Sequence, residues 1–102
     1  DLRGASIKDV SLKQVNSSNA ELSGADLSGS NLNRSSLVSA NLTGAILTNV
    51  DLEWPNMQSV NLSGVDLTGA HLTGAKLLNA TADSSTTWPE DFDPVSAGVN
   101  ID

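Results

Sequence analysis

Side chains that could carry chemistry are few and widely spaced in this chain of 102 residues. His71 is the only histidine, and the absence of cysteine excludes thiol chemistry and disulfides. An imidazole can act as a general base or a metal ligand, and carboxylates such as Asp26 and Asp66 can complete either kind of site. Whether these groups meet depends on the elements that place them.

A leucine or a close substitute occupies every fifth position from Leu2 to Leu77. Thirteen of these sixteen positions are Leu, and the other three are Ile7, Ser17 and Met57. A period of five matches neither the helical period of about 3.6 nor the alternation of a strand. It therefore indicates a repeat architecture.

Each repeat has five positions of distinct character. The first residue is small, the second is mostly Asp, Asn or Ser, the central residue is Leu, and the fourth and fifth are mostly polar or Gly. This A-(D/N)-L-x-x pattern is clearest in Ala25-Asp26-Leu27, Ala40-Asn41-Leu42 and Val60-Asn61-Leu62. Over residues 1 to 80 the chain resembles the pentapeptide repeat family. The resemblance implies an all-β solenoid, a right-handed quadrilateral β-helix of about four coils with four pentapeptides per coil.

The glycines support a coil of twenty residues. Seven of the eight glycines occupy the fifth position of a repeat. At a period of twenty, one fifth-position column is entirely glycine and another has none; these columns are Gly4/Gly24/Gly44/Gly64 and Asn19/Ser39/Ser59/Asn79. Glycine permits positive φ without a Cβ clash, whereas Asn and Ser bond to turn backbone. We therefore predict different turn types at these two corners.

The central residues are predicted to point inward and to stack in four columns. The small first-position residues point inward beside them, near the corners. The predicted core consists of Leu22, Leu27, Leu32, Leu37, Leu42, Leu47, Leu52, Met57, Leu62, Leu67, Leu72 and Leu77.

The repeat is predicted to occupy residues 1–80, and residues 81–102 are predicted to form a C-terminal capping tail. The segment from Thr87 to Glu90 reads as a helix capping box, which predicts one short helical turn. We expect Trp88 and Phe92 to cover the last coil. The segment 88–94 is similar to the tails of cyanobacterial pentapeptide repeat proteins.

The net charge of −7 lies mainly in the tail. Residues 1–80 hold seven acidic and five basic side chains, for a net charge of −2, and residues 81–102 hold five acidic ones. A nucleic-acid partner is not expected, because such proteins need a basic surface. No apolar run approaches the ~20 residues of a membrane span.

The predicted coils separate the candidate ligands. Asp26 and Asp66 share a column but lie two coils apart, about 10 Å at the spacing of paired strands, which is too far for one metal ion. His71 occupies an outward position and is interpreted as a surface residue. The sequence therefore predicts no catalytic, cofactor-binding or metal site.

A candidate interaction surface contains Trp54, Arg34, Val38 and Leu78, all at outward positions. Arg34 lies one coil from Trp54 and could stack on the indole, while Gly74 leaves room on the other side. The alternative interpretation is that Trp54 packs there, or under the tail, only for stability.

Three classes of function follow from these patterns. The favoured one is a non-catalytic structural scaffold or protein-interaction module, part of a longer protein, with an unknown protein partner. The alternative is an acidic DNA mimic that binds a type II topoisomerase, as the resemblance allows, although the coils carry little net charge. An enzyme is not expected. The first coil contains the polar central residue Ser17 and presents an open edge with Lys8 and Lys13, and two interpretations of it are open. In one, the lysines alone protect the edge. In the other, the first coil is a point of association, where the domain joins upstream sequence or a second copy of itself.

Overall fold

A computed structural model describes residues 1–90 and 92–102. Residues twenty apart lie side by side in parallel bridges, and each bridge passes to the next coil, as in Ser6–Asp26, Asp26–Ile46 and Ile46–Asp66. The whole molecule measures 29 × 22 × 22 Å. The twenty-residue coil and the four-sided β-helix predicted from the sequence are confirmed.

In the middle coils, three kinds of backbone hydrogen bond join a pentapeptide to its neighbours along the rod. The central Leu22 donates to the carbonyl of Asn41 in the next coil at 2.9 Å, and the fifth residue, Gly24, donates to that of Thr43 at 2.9 Å. The second residue donates the other way, as Asn41 does to Ala20 at 2.9 Å. This pattern leaves the N–H of the fourth residue without a backbone acceptor.

The second-position Asp or Asn supplies that acceptor. The Ser28 N–H donates to Asp26 Oδ1 at 3.0 Å, and the Thr68 N–H donates to Asp66 Oδ1 at 3.0 Å. The hydroxyls of Ser28 and Thr68 donate to the same oxygens. These hydroxyl bonds, followed by the N–H bonds, hold the pKa values of Asp26 and Asp66 below their usual range. The preference for Asp or Asn at the second position is thus explained, because these side chains accept the N–H of the fourth residue.

All four corners of the coil use the same turn. At fourteen of the sixteen corners, the first residue of a repeat donates to the central carbonyl of the repeat before it, as Ala25 does to Leu22 at 3.0 Å. The other two are Val10, whose N–H donates to Ser30 Oγ at 3.1 Å, and Pro55, which has no N–H. All sixteen fifth-position residues have positive φ, from 56° at Asp9 to 73° at Gly69. A four-residue turn with positive φ only at its third residue is type II. The prediction of two turn types was wrong, because the ladder imposes one corner geometry whatever the residue.

Neighbouring side chains explain part of the glycine pattern. A Cβ on Gly29 would overlap the Asp9 carboxylate, and one on Gly74 would overlap the Trp54 indole. Corner side chains therefore lean along the rod onto a glycine of the next coil. Gly44, in the all-glycine column, has open space beside it, and the structure gives no steric reason for glycine there.

The central residues form the buried core of the coils. The twelve central residues from Leu22 to Leu77 are buried, most of them completely. Two small first-position residues are buried serines whose hydroxyls bond to nearby carbonyls: Ser30 to Ile7 at 2.6 Å and Ser35 to Leu32 at 2.6 Å. Among the described residues, no buried side-chain polar atom lacks a partner.

The hydrogen-bonded coil continues past Ala80. Strand β1 (Thr81–Ala82) pairs with the preceding coil through Asn61, and Ala82 is buried in a central position. Asp66 then pairs with Thr87, so one extra residue has entered the twenty-residue period. The Thr86 hydroxyl donates to the Leu62 carbonyl at 2.8 Å and anchors this insertion.

The remaining tail lies on the C-terminal edge. Strand β2 (Asn100–Ile101) pairs in parallel with β1, and the Asn100 N–H donates to the Ala80 carbonyl at 2.8 Å. Trp88 and Phe92 stack with ring centroids 5.5 Å apart and are half-buried against the core.

The helical turn predicted near Pro89 does not form in the described part of the tail. The Phe92 N–H closes a turn on the Pro89 carbonyl at 3.3 Å, and the chain turns again over residues 94–98. Asp91, within the predicted turn, lies outside the described residues. No helix long and apolar enough to cross a bilayer occurs among the residues described.

Candidate functional site

The N-terminal end of the β-helix opens into an apolar mouth of about 240 Å³. Leu2 is 49% exposed there, in contrast to the fully buried central residues of the later coils. The mouth is lined by Leu2, Ile7, Leu12, Val15, Ser17, Leu22, Leu27, Leu32 and Leu37. Among the described residues, nothing covers this end of the core.

The backbone edge around this mouth is also open. In the second coil, the N–H and carbonyl of Asp26 bond to Ala5 and Ile7, at 2.9 and 2.7 Å. The equivalent groups of Ser6, Ser11 and Asn16 have no backbone partner among the described residues. Both polar groups of each residue point out of the end of the rod, so the edge offers donors and acceptors together.

The rim of the mouth is weakly basic. Arg3 forms a bidentate ion pair with Asp1, with Nη2–Oδ2 at 2.7 Å. Lys8 and Lys13 are exposed and have no ion-pair partner in the described structure. Such charges are typical of edges that resist unselective pairing.

The predicted interaction surface is dispersed in the structure. Trp54 and Leu78 are each 58% exposed, Arg34 is exposed, and Val38 is half-buried. The indole lies over Gly74, as expected, but no cation–π contact with Arg34 is present in the described residues. Leu78 is backed by Gly98, on which a Cβ would come within 3.3 Å of the Leu78 Cα. These four residues remain a predicted surface.

A third group of side chains was missed by the sequence analysis. His71 forms a parallel bridge with Asp51, and ligand atoms of Asp51, Glu53 and His71 all lie within 4.8 Å of one another. The twenty-residue period already pairs positions 51 and 71. Asp26 and Asp66, the pair considered from the sequence, lie in a different column from His71. The expected outward position of His71 is confirmed, because its side chain is exposed.

The described side chains form no arrangement typical of nucleophilic catalysis. A hydroxyl nucleophile needs a base within hydrogen-bonding reach. The hydroxyl bonds here run to Asp or Asn side chains that also cap turns, such as Thr68 to Asp66, or to backbone carbonyls, such as Thr86 to Leu62. One further bond joins the hydroxyls of Ser18 and Ser36. These contacts stabilise the turns and coils of the β-helix.

Comparison with family models matches the repeats directly. The model for pentapeptide repeats matches eight copies, over residues 1–37, 18–53, 35–74 and 54–85. The chain belongs to the pentapeptide repeat family. The family resemblance inferred from the sequence is confirmed, and the matched region extends beyond residue 80 into the coil continuation. Comparison with curated proteins returns no match.

Solved pentapeptide repeat proteins share this fold. The protein alr5209 from Nostoc Pcc 7120 is 35% identical, with a TM-score of 0.96 over 98% of this chain and 83% of its own. Rfr23 from the cyanobacterium Cyanothece 51142 is 32% identical, with a TM-score of 0.59 over 84% of this chain and 62% of its own. A thylakoid-lumen protein from Arabidopsis thaliana, 23% identical, has a TM-score of 0.84 over 86% of this chain and 61% of its own. The cyanobacterial similarity expected from the tail is supported.

Proposed function

We propose that this pentapeptide repeat chain is a non-catalytic scaffold and protein-interaction module that associates end-on through its first coil. The observation that carries the proposal is the contrast between the two ends of the rod. Tail residues cover the C-terminal edge through β2 and the Trp88–Phe92 stack. The first coil leaves both its apolar mouth and its backbone edge open.

The partner proposed for this end is a second copy of the chain, N-terminal end to N-terminal end. A residue whose N–H and C=O both face outward forms a reciprocal pair in an antiparallel ladder. Ser6, Ser11 and Asn16 have this arrangement. The mouth is also self-complementary, because a two-fold axis would place its apolar surface against the same surface of the second copy, as in isologous dimers.

The size and charge of the end predict weak association. A cross-section of 22 × 22 Å allows about 500 Å² per copy, which reaches the lower limit of specific interfaces. Lys8 and Lys13 would approach their counterparts across the two-fold axis. Their repulsion falls as salt screens exposed charges. Dimer formation should therefore depend on concentration and strengthen with added salt.

Sedimentation equilibrium of the whole chain tests this proposal. Dimers are expected at high protein concentration, and Leu2→Lys should remove them because it places a charge in the mouth. Leu78→Lys is the matched control, since Leu78 is similarly exposed on the side of the rod. A dimer that survives Leu2→Lys, or a monomer at every concentration and salt level, would contradict the proposal. Loss of the dimer in Leu78→Lys alone would instead favour the Trp54 surface.

The DNA-mimic alternative has less physical support. A mimic of duplex DNA needs regularly spaced negative charge along a long rod. Here the coils carry a net charge of only −2 on a molecule 29 Å long, and most of the net negative charge is in the tail. A gyrase supercoiling assay separates the two functions, and inhibition by the chain at micromolar concentration would favour the alternative.

A further inference from the structure

The side of the rod between the third and fourth coils brings three metal-ligating side chains together. Asp51 and His71 occupy the same second-position column, and their coils are joined by hydrogen bonds from Leu52 to His71 and from His71 to Val50, at 2.8 and 2.9 Å. Glu53 follows Asp51 on the same side, with buried Leu52 between them. The β-ladder thus holds the three Cα atoms in fixed relative positions.

Asp51 departs from the hydrogen bonding of the other repeats. Elsewhere a second-position Asp or Asn accepts the N–H of the fourth residue, as Asp26, Asn41 and Asp66 do. In this repeat the Glu53 N–H donates instead to Asn33 Oδ1 in the preceding coil, at 2.9 Å. Asp51 accepts no hydrogen bond from the described residues. Asn33 thus leaves the Asp51 carboxylate available to another ligand.

The charges around this group favour a cation. The only ion pair among residues 1–90 and 92–102 joins Arg3 to Asp1, in the first coil. The Asp51 and Glu53 carboxylates therefore lie close together with no basic side chain in ion-pair contact. Their mutual repulsion would be removed by a divalent ion between them.

We propose that Asp51, Glu53 and His71 form a binding site for a divalent transition-metal ion of the zinc class. Imidazole nitrogen and carboxylate oxygen are both zinc ligands, and the imidazole favours zinc over magnesium or calcium. Tetrahedral zinc needs ligand atoms about 3.3 Å apart. The present separations of up to 4.8 Å close to that value by rotation of side chains at the protein surface. A fourth position remains for water.

Zinc titration of the full chain by calorimetry tests the site. One zinc ion per chain is expected to bind. His71→Asn and Asp51→Asn each remove a ligand atom and should weaken binding more than tenfold, because losses of about 10–100-fold already follow from changes to residues outside the ligand set. Asp26→Asn is the matched control, because Asp26 is engaged with Ser28 on another side of the coil. Equal affinity of the wild-type chain and His71→Asn, or no measurable binding, would overturn the proposal.

Asn33 provides a second test, as a positioning residue that does not touch the ion. Asn33→Ala frees the Glu53 N–H, so Asp51 can turn back to accept it, and zinc affinity should fall about tenfold with all three ligands present. Asn33→Asp retains the acceptor oxygen and should restore binding. Amide shifts on zinc addition should map to residues 51–54 and 71–74. Shifts confined to the acidic tail, or an Asn33→Ala protein with unchanged affinity, would overturn the assignment.

Discussion

The indole of Trp54 lies on the backbone of Gly74, filling the space that a Cβ at Gly74 would take. Both residues have positive φ and occupy the same corner of successive coils. The same relation joins Asp9 to Gly29 and Asn49 to Gly69. Three corner glycines thus pair with a larger side chain in the coil before them.

Gly74→Ala is expected to lower the free energy of unfolding by about 1–3 kcal/mol, because it adds a left-handed alanine and displaces the indole. Gly44→Ala has the same φ but open space beside it, so its loss should be near 1 kcal/mol. Urea denaturation measures both. Equal losses in the two variants would show that the Trp54 contact contributes nothing.

Core truncation should cost more toward the middle of the rod than at its open end. Leu47→Ala removes a fully buried central side chain and should cost about 2–5 kcal/mol. Leu2→Ala should cost less than about 1 kcal/mol, since Leu2 is already half exposed. Thermal or urea unfolding gives both values. A similar loss at the two positions would mean that the first coil is closed in solution.

The sequence predicted the core and the pairing because each depends on a strict spacing. A central residue every five positions and a coil every twenty place Leu22, Leu42 and Leu62 in one column whatever the surface residues are. Turn type was not predictable from glycine, because the ladder forces positive φ even at Trp54 and Arg34. The continuation of the coil beyond residue 80 was not predicted, because one extra residue before Thr87, which pairs with Asp66, interrupts the twenty-residue period. The Asp51 carboxylate is free because the Glu53 N–H donates to Asn33 in the preceding coil. A contact between residues twenty apart cannot be predicted from the pattern within one repeat.

Acid should destabilise the fold through the turn-capping carboxylates. Hydrogen bonds, led by those from the Ser28, Thr68 and Ser85 hydroxyls, lower the pKa values of Asp26, Asp66 and Asp83. A carboxyl with a lower pKa in the folded state contributes stability above its unfolded pKa, near 4, and loses it as pH falls through the folded value. The melting temperature should therefore decrease as the pH is lowered below about 4. Asp66→Asn keeps the acceptor oxygen and should flatten part of that drop; an unchanged profile would contradict this cause.

Removal of residues 83–102 should promote association at the other end of the rod. The deletion takes away β2 and the Trp88–Phe92 stack, and exposes the backbone edge of the last coil with its apolar core. Light scattering of the truncated chain should show larger species than the parent at equal concentration. A truncated chain that stays as stable and as monodisperse as the parent would contradict the capping role.

Site-resolved hydrogen exchange tests the central claim, that the first coil is an open edge that a second copy covers. The amides of Ser6, Ser11 and Asn16 should exchange faster in dilute monomer than the second-position amides of later coils, because they have no backbone acceptor. The equivalent amides of Asn41, Asn56 and Asn61 should be protected by the preceding coil. At high protein concentration, the first-coil amides should become protected while the others do not change. First-coil protection equal to that of residues 41–60 in dilute monomer, or no change with concentration, would contradict the account.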